Sequence, residues 1–261
     1  MKDVVIVSAC RTAIGTFGGT LRDVNGATIA AATMKEAVRR AGIDPALISD
    51  VRYGCCLEPT DALNVTRTAA LLAGIPDTVP AVTINRVCIS GMEAVLSGMA
   101  MIQAGLAEIV LAGGVEHMSG APYTVENARW GCRLQDHVFV DRMIRALHCG
   151  SHIIPHPEDG PVKEGMPLEL FRGKPYIMGH TAEFVAQMYD ISREEQDIYA
   201  ADCQAKAVKA MNAGLFKEEV LPVEVPVKRK ETMLFDTEEI PRDGVTAEKL
   251  AKLRPVFKKD G

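Results

Sequence analysis

No run of apolar residues in this sequence approaches the roughly 20 needed to span a membrane, and its 261 residues contain neither an internal repeat nor a low-complexity tract. A surplus of basic residues is also missing. Asp and Glu outnumber Lys and Arg by 34 to 29, for a net charge of -5, which argues against general nucleic-acid binding. Neither nucleic acid nor membrane is therefore an expected partner. The N-terminus, Met1-Lys2-Asp3-Val4-Val5, lacks the h-region and cleavage site of a signal peptide. The seven cysteines are odd in number and lack a secreted spacing pattern, so a reducing cytoplasm is the expected location. A zinc pattern is absent too. His148-Cys149-Gly150-Ser151-His152-Ile153-Ile154-Pro155-His156 has suitable ligand types, but its spacing matches no common zinc site. An ordinary polar loop is favoured there, and no metal is expected. What remains is the composition of a soluble globular protein, 48% hydrophobic and 24% charged, long enough for one large domain or two smaller ones.

One stretch stands out: Asn85-Arg86-Val87-Cys88-Ile89-Ser90-Gly91-Met92-Glu93-Ala94-Val95. It follows a β-branched run, Pro80-Ala81-Val82-Thr83-Ile84, that reads as a buried strand. It leads into a helix reaching Gln103 that is apolar on nearly every face, and such a helix has to be surrounded by protein. Cys88 then lies where a strand turns into a helix, with Ser90 and Gly91 in the first turn. Free backbone N–H groups and the positive end of the helix dipole favour a thiolate at such a place. A structural core cysteine is the other reading of Cys88, and residue chemistry alone leaves both open.

The rest of the chain supplies the frame. Residues 4–9 read as a strand buried on both faces, leading into the glycine-rich loop from Cys10 to Gly19. That loop has neither a P-loop ending nor Rossmann spacing, so a tight loop against the sheet is favoured over a phosphate cradle. A helix is expected from Ala27 to Ala41 and a strand around residues 51–55. Next come a helix from the N-cap Asn64 to Gly74 and a strand over residues 109–114. This β-α alternation implies an α/β layer with a mostly parallel sheet. From Gly120 to Pro175 the pattern dissolves into a loop-rich excursion with one helix over residues 136–147. Further helices are expected from Thr181 and from Ser192-Arg193-Glu194-Glu195, a capping box opening an amphipathic helix to about Asn212. A strand over residues 220–227, the basic tip Lys228-Arg229-Lys230 and a short helix over residues 246–253 follow. The adjacent Cys55 and Cys56 read as core packing. His117 and His180 are the histidines that a nucleophilic cysteine could recruit as base, though each alone reads as a packing or surface group.

These motifs together resemble the thiolases. Arg11-Thr12-Ala13-Ile14-Gly15-Thr16-Phe17-Gly18-Gly19 is similar to that family's N-terminal signature, and residues 85–95 to its nucleophile motif. Ala112-Gly113-Gly114-Val115-Glu116-His117-Met118-Ser119 resembles its strand end, with His117 where a serine is more usual. Met178-Gly179, Thr181-Ala182-Glu183, Ser192-Arg193-Glu194-Glu195-Gln196-Asp197 and Lys252-Leu253-Arg254-Pro255-Val256-Phe257 fit as well. Ketoacyl synthases and hydroxymethylglutaryl-CoA synthases share the fold but fit residues 11–19 and 178–183 less well.

The resemblance implies an α/β fold: a thiolase-like N-terminal domain with a mixed, mostly parallel five-stranded sheet between helices, and an inserted α+β loop domain. It sets the core at residues 1–118, the coenzyme A-covering loop domain at 119–250, and a return toward the core at 251–261. It implies acyl transfer between acyl-CoA thioesters, either thiolytic cleavage of a 3-ketoacyl-CoA or condensation of two acetyl-CoA. Cys88 would be the acyl-accepting nucleophile, with its own N–H part of an oxyanion hole. Arg229 would meet the nucleotide phosphates, and Met178 would line the pantetheine and acyl end. Coenzyme A would be a substrate, with no cofactor bound permanently. Ile177 departs from the histidine of many short-chain biosynthetic members, and the loop from Tyr123 to Tyr176 looks longer than in compact bacterial ones. The Asn-Glu motif, the Gly-His-Pro histidine and the second cysteine of the family's second half do not occur in these residues. The expectation is an N-terminal half plus loop domain that needs a C-terminal half for full activity. Its partners would be a homo-oligomer (dimer or tetramer), a polypeptide carrying that half, or both. The alternative is a coenzyme A-binding or interaction domain that does not turn over.

Overall fold

The structure, a computed structural model, describes residues 3–148, 176–228 and 231–261. The chain divides into two compact units, Met1–Pro122 with Gly214–Ile240, and Tyr123–Ala213 with Pro241–Gly261.

The first unit alternates strand and helix. β1 (Arg11–Thr12) precedes α1 (Gly26–Ala41), β2 (Asp50–Gly54), α2 (Val65–Leu72), β3 (Ala81–Ile84), α3 (Ser90–Gln103) and β4 (Val110–Gly114). Helix starts leave backbone donors unpaired, and polar side chains take them here. Asn25 Oδ1 accepts the Ala27 amide at 2.8 Å, and Asn64 Oδ1 accepts that of Arg67 at 3.0 Å. β3, β2 and β4 form a sheet in that order, parallel throughout, with Val51 opposite Ala81 and Leu111. Alternation along β2 assigns its two faces. Val51 and Tyr53 are buried with α1 and α2, where the Tyr53 hydroxyl lies 3.3 Å from that of Thr33. Arg52 points the other way and donates to Ser97 Oγ on α3 at 2.9 Å. The core therefore lies under α1 and α2, where Met34, Val51, Val65 and Thr66 are fully buried.

The α/β class and parallel sheet agree with the sequence, but the ladder among the described residues has three strands rather than five. The expected first strand is the main correction. Residues 4–9 have no ladder, and Val5, Ile6 and Val7 are exposed. An apolar β-branched run favours extension, but a strand needs a partner, and none of the described strands pairs with it. α3 also departs from its expected surroundings. It buries Ser90, Ala94 and Gly98 but leaves Met92, Val95 and Leu96 exposed.

Chain segments from further on complete this unit. β7 (Val220–Leu221) pairs in parallel with β1. β8 (Val223–Lys228) and β9 (Glu231–Phe235) form an antiparallel hairpin whose Val223, Val225 and Phe235 are buried. β9 has no counterpart in the sequence expectations. The glycine-rich loop expected from Cys10 to Gly19 carries β1 and then turns, and amides in it and at Thr20 find an anion within the chain. Glu239 accepts the N–H groups of Thr16 at 2.8 Å and Thr20 at 3.1 Å, as well as the Thr20 hydroxyl. These bonds hold its carboxyl below the usual range. A carboxylate thus fills the place a phosphate cradle would offer, in keeping with the structural reading of that loop.

In the second unit β5 (Tyr123–Thr124) pairs antiparallel with β6 (Val140–Asp141). α4 (Arg142–Leu147) begins only after Asp141, later than expected, because that side chain caps the helix by accepting the Met143 amide at 2.8 Å. α5 (Met178–Met188) starts three residues before the expected Thr181. α6 (Arg193–Asn212) opens on the expected box, with Ser192 and Glu195 bonding each other's backbone N–H. It is not amphipathic in its packing: Asp197 is its one buried residue, while Ile198 and Tyr199 are exposed. Arg193 ties its start to α7 (Ala247–Leu250), donating to Asp197 at 3.0 Å and to the Leu250 carbonyl at 2.9 Å. At the start of α5 only glycine fits at position 179, since any Cβ there would enter the Phe257 ring. No helix among the described residues is long and apolar enough to cross a membrane.

Candidate functional site

β3 ends at Ile84 and α3 begins at Ser90, so residues 85–89 must turn the chain from sheet to helix. Gly54 ends the neighbouring strand β2, and a Cβ there would collide with the backbone of Ser90 and Gly91. Its absence lets the first turn of α3 settle directly on the carboxyl end of the sheet, where ligands of open α/β sheets bind.

Side chains on both sides fix the turn. Asn85 Oδ1 accepts the Val87 N–H at 3.0 Å, and its Nδ2 donates to the Cys56 carbonyl at 3.2 Å. Ser90 Oγ accepts the Arg86 N–H at 2.9 Å and donates to the Val87 carbonyl. Arg86 and Glu93 form an ion pair at 2.6 Å. Ile89 occupies the N-cap position and offers no side-chain acceptor. The first-turn amides of α3 therefore lack the capping partner that Asn25 and Asn64 provide elsewhere, and such amides favour negative charge.

Cys88 sits in this turn and is exposed. Two other thiols lie nearby in the fold, and both are more enclosed than that of Cys88. Burial pushes the Cys55 thiol up to about 12, with the Glu116 carboxylate adding to the rise. Burial raises Cys56 as well, against the Ser90 hydroxyl, which lowers it. Cys55 packs in the main core as the sequence suggested, whereas Cys56 faces the turn, with Sγ 2.8 Å from the Val87 carbonyl oxygen.

Sequence reasoning did not single out Glu116. From just beyond β4 its carboxylate accepts the N–H groups of Cys56 at 2.9 Å and Leu57 at 3.0 Å, anchoring the segment that Asn85 bonds. A lone acidic residue after a strand gives no sign of contacts sixty residues away. The two candidate bases are engaged elsewhere. His117 is half-buried, with Nε2 3.1 Å from the Leu21 carbonyl oxygen. His180 Nδ1 accepts the Ile177 N–H at 3.2 Å, and its ring stands edge-on to Phe257 at 5.4 Å between centroids.

Of the other expected site residues, Met178 is the exposed first residue of α5, in the second unit, and Arg229 lies outside the described residues. Residues 149–156 of the histidine-rich segment lie outside them too. Among the described residues, no group of three or more His, Cys, Asp or Glu is arranged to hold a metal ion.

The chain is similar to known proteins along nearly its whole length. A family model described as the thiolase N-terminal domain matches residues 4–154 and 164–261. The acetyl-CoA acetyltransferase of Pseudomonas aeruginosa is 41% identical over 261 residues, which is all of this chain and 61% of that protein. The protein of the same name from Syntrophomonas wolfei is 44% identical over 260 residues, 60% of its length. A crystal structure of the Bacillus anthracis acetyl-CoA acetyltransferase superposes with a TM-score of 0.84 at 40% identity, covering 98% of this chain and 59% of that one. The chain thus spans about three fifths of the length of the relatives it matches.

Proposed function

The chain belongs to the thiolase family, matched along nearly its whole length by that family's N-terminal domain, and from that membership we propose that it accepts acyl groups from acyl-CoA thioesters on Cys88. One observation carries the reading: an exposed thiol in a strand-to-helix turn, at the open start of α3, near the more enclosed thiols of Cys55 and Cys56.

The proposed chemistry follows from that placement. Cys88 Sγ, as thiolate, adds to the thioester carbonyl carbon. The carbonyl oxygen gains the negative charge, which the N–H of Cys88 and the uncapped first turn of α3 stabilise. The carbon–sulfur bond to coenzyme A then breaks, coenzyme A takes up a proton, and the acyl group remains on Cys88. In the synthetic direction the carbanion of a second acetyl-CoA then takes the acyl group and Cys88 leaves as thiolate. In the degradative direction Cys88 instead adds to the 3-keto carbon of a 3-ketoacyl-CoA, the C2–C3 bond breaks, the leaving carbanion takes up a proton as acetyl-CoA, and coenzyme A takes the acyl group from Cys88. Arg229 and Met178 are assigned to the phosphates and to the pantetheine and acyl end of coenzyme A, with residues 119–250 covering it. Coenzyme A is a substrate here, not a resident cofactor. Because His117 and His180 are bonded elsewhere, the proton transfers are assigned to a C-terminal thiolase half, which full turnover requires. That half, or a second copy of this chain in a dimer or tetramer, would cover Met92, Val95 and Leu96 on α3. Sedimentation tests this: a strictly monomeric chain that binds no such half speaks against it. A reducing cytoplasm suits a reaction that needs a free thiol.

The engagement of both histidines also favours a second reading, a coenzyme A-binding or interaction domain without turnover. Intact mass after incubation with acetyl-CoA separates the two. One acetyl increment, lost in Cys88→Ala, supports the acyl acceptor. No increment in a folded chain leaves the binding domain.

A further inference from the structure

The turn that presents Cys88 is held in an unfavourable shape. Val87 has φ +51°, in the left-handed region, where a β-branched side chain crowds its own backbone. Such a conformation persists only where the surroundings over-determine it. Here they do so from both sides of the residue. The Val87 N–H is held by Asn85 Oδ1 at 3.0 Å, and Asn85 is itself anchored on the Cys56 carbonyl. The Val87 carbonyl accepts from the Ser90 hydroxyl, from the Ser90 N–H at 3.1 Å and from Cys56 Sγ at 2.8 Å. Cys56 is in turn held through its amide by Glu116 at 2.9 Å. Both peptide groups flanking the strained torsion are therefore fixed, one by Asn85 and the other by Ser90 and Cys56.

We propose that Asn85, Ser90 and Cys56 are positioning residues that clamp the backbone of Val87 in its left-handed conformation and so hold Cys88 Sγ and the Cys88 N–H in their reacting geometry. None of the three is assigned contact with the acyl group. Their effect passes through residue 87, and this gives the clamp a signature: it matters because residue 87 is not glycine. With glycine at 87 the left-handed region carries no steric penalty, and the clamp becomes largely dispensable. The inference rests on the acyl-transfer reading for what Cys88 does, but not for the geometry of the turn.

The test is a double-mutant cycle on the full chain, using Asn85→Ala, Val87→Gly and the pair. Two rates are read at Cys88 by mass spectrometry: acetylation by acetyl-CoA and alkylation by iodoacetamide. Asn85 is exposed, so its replacement leaves the fold intact, and a thermal melt of each variant confirms this. Asn85→Ala should slow acetylation by roughly tenfold to a hundredfold, the range that misplacement of a reacting group produces. Val87→Gly alone should change the rate little, and in its background Asn85→Ala should lose only a small part of that factor. Cys56→Ala, measured in the same two backgrounds, should show the same coupling. Equal losses whether residue 87 is Val or Gly would overturn the clamp. If the native chain takes no acetyl group, the acyl-transfer reading fails separately. The cycle is then read from alkylation, where coupling supports the clamp and equal factors overturn it.

Discussion

α1 and α3 lie on opposite faces of one three-stranded sheet and are built to different ends. α1 is capped by Asn25, buries a stripe from Ala27 through Met34 to Val38, and has Arg39 and Arg40 in its last turn, the favourable charge for a helix C-terminus. α3 has the uncapping Ile89 at its start, buries only Ser90, Ala94 and Gly98, and turns Met92, Val95 and Leu96 outward. The helix that anchors the core is closed at its N-terminus, and the helix that follows Cys88 is open there. An open N-terminus costs helix stability but leaves backbone donors for charge that develops on a ligand. The contrast sets the buried core on one face of the sheet and the proposed chemistry on the other.

The largest effect that sharpens this comparison concerns packing. Met34 is completely buried, so Met34→Ala should destabilise the chain by about 2–5 kcal/mol. Met92→Ala on the outward side of α3 should stay within about 0.5 kcal/mol. Chemical denaturation compares them, and similar losses would erase the distinction between the faces. Capping comes next. Asn25→Ala should cost about 1 kcal/mol. Ile89→Asp, which gives α3 the missing acceptor, should stabilise the chain by up to about 1 kcal/mol while slowing acetylation of Cys88. The new carboxylate would take the first-turn amides and oppose a thiolate beside it. A variant both more stable and faster would break the link between the open terminus and the chemistry.

The smallest effect is electrostatic. Hydrogen bonds from Arg39, and then Arg40, hold the Glu36 carboxyl down at about 2. A carboxylate lowered on folding contributes stability that is fully present above its unfolded pKa of about 4.3, and that is lost as pH falls toward the folded value. The contribution is a surface one, of less than about 1 kcal/mol. Glu36→Gln should therefore be slightly less stable than the native chain near neutral pH, and the two should converge as the pH is lowered to about 2. A constant gap across that range would mean that Glu36 acts through packing.

Local chemistry was legible in the sequence. The N-cap Asn64, the box of Ser192 and Glu195, and the left-handed Gly74 all begin or end helices where residue type alone placed them. So was the position of Cys88 between a strand and a helix. Properties that depend on partners were not. Residues 4–9 have the composition of a strand, but composition does not supply a neighbour to pair with. Glu116 and Glu239 act on backbone amides 59 or more residues away, and a carboxylate carries no local mark of such a bond. The turn at Val87 was hidden for another reason: valine is among the residues least expected at positive φ, and only the groups around it explain its presence.

Of the seven cysteines, Cys88, in the turn before α3, is the proposed acyl acceptor. Its most direct test is to incubate the chain with acetyl-CoA and locate the acetyl group by peptide mapping. The expected result is a single thioester on Cys88, with Cys55 and Cys56 unmodified. Acetylation spread over exposed cysteines such as Cys132 and Cys203, or confined to a residue other than Cys88, would contradict it.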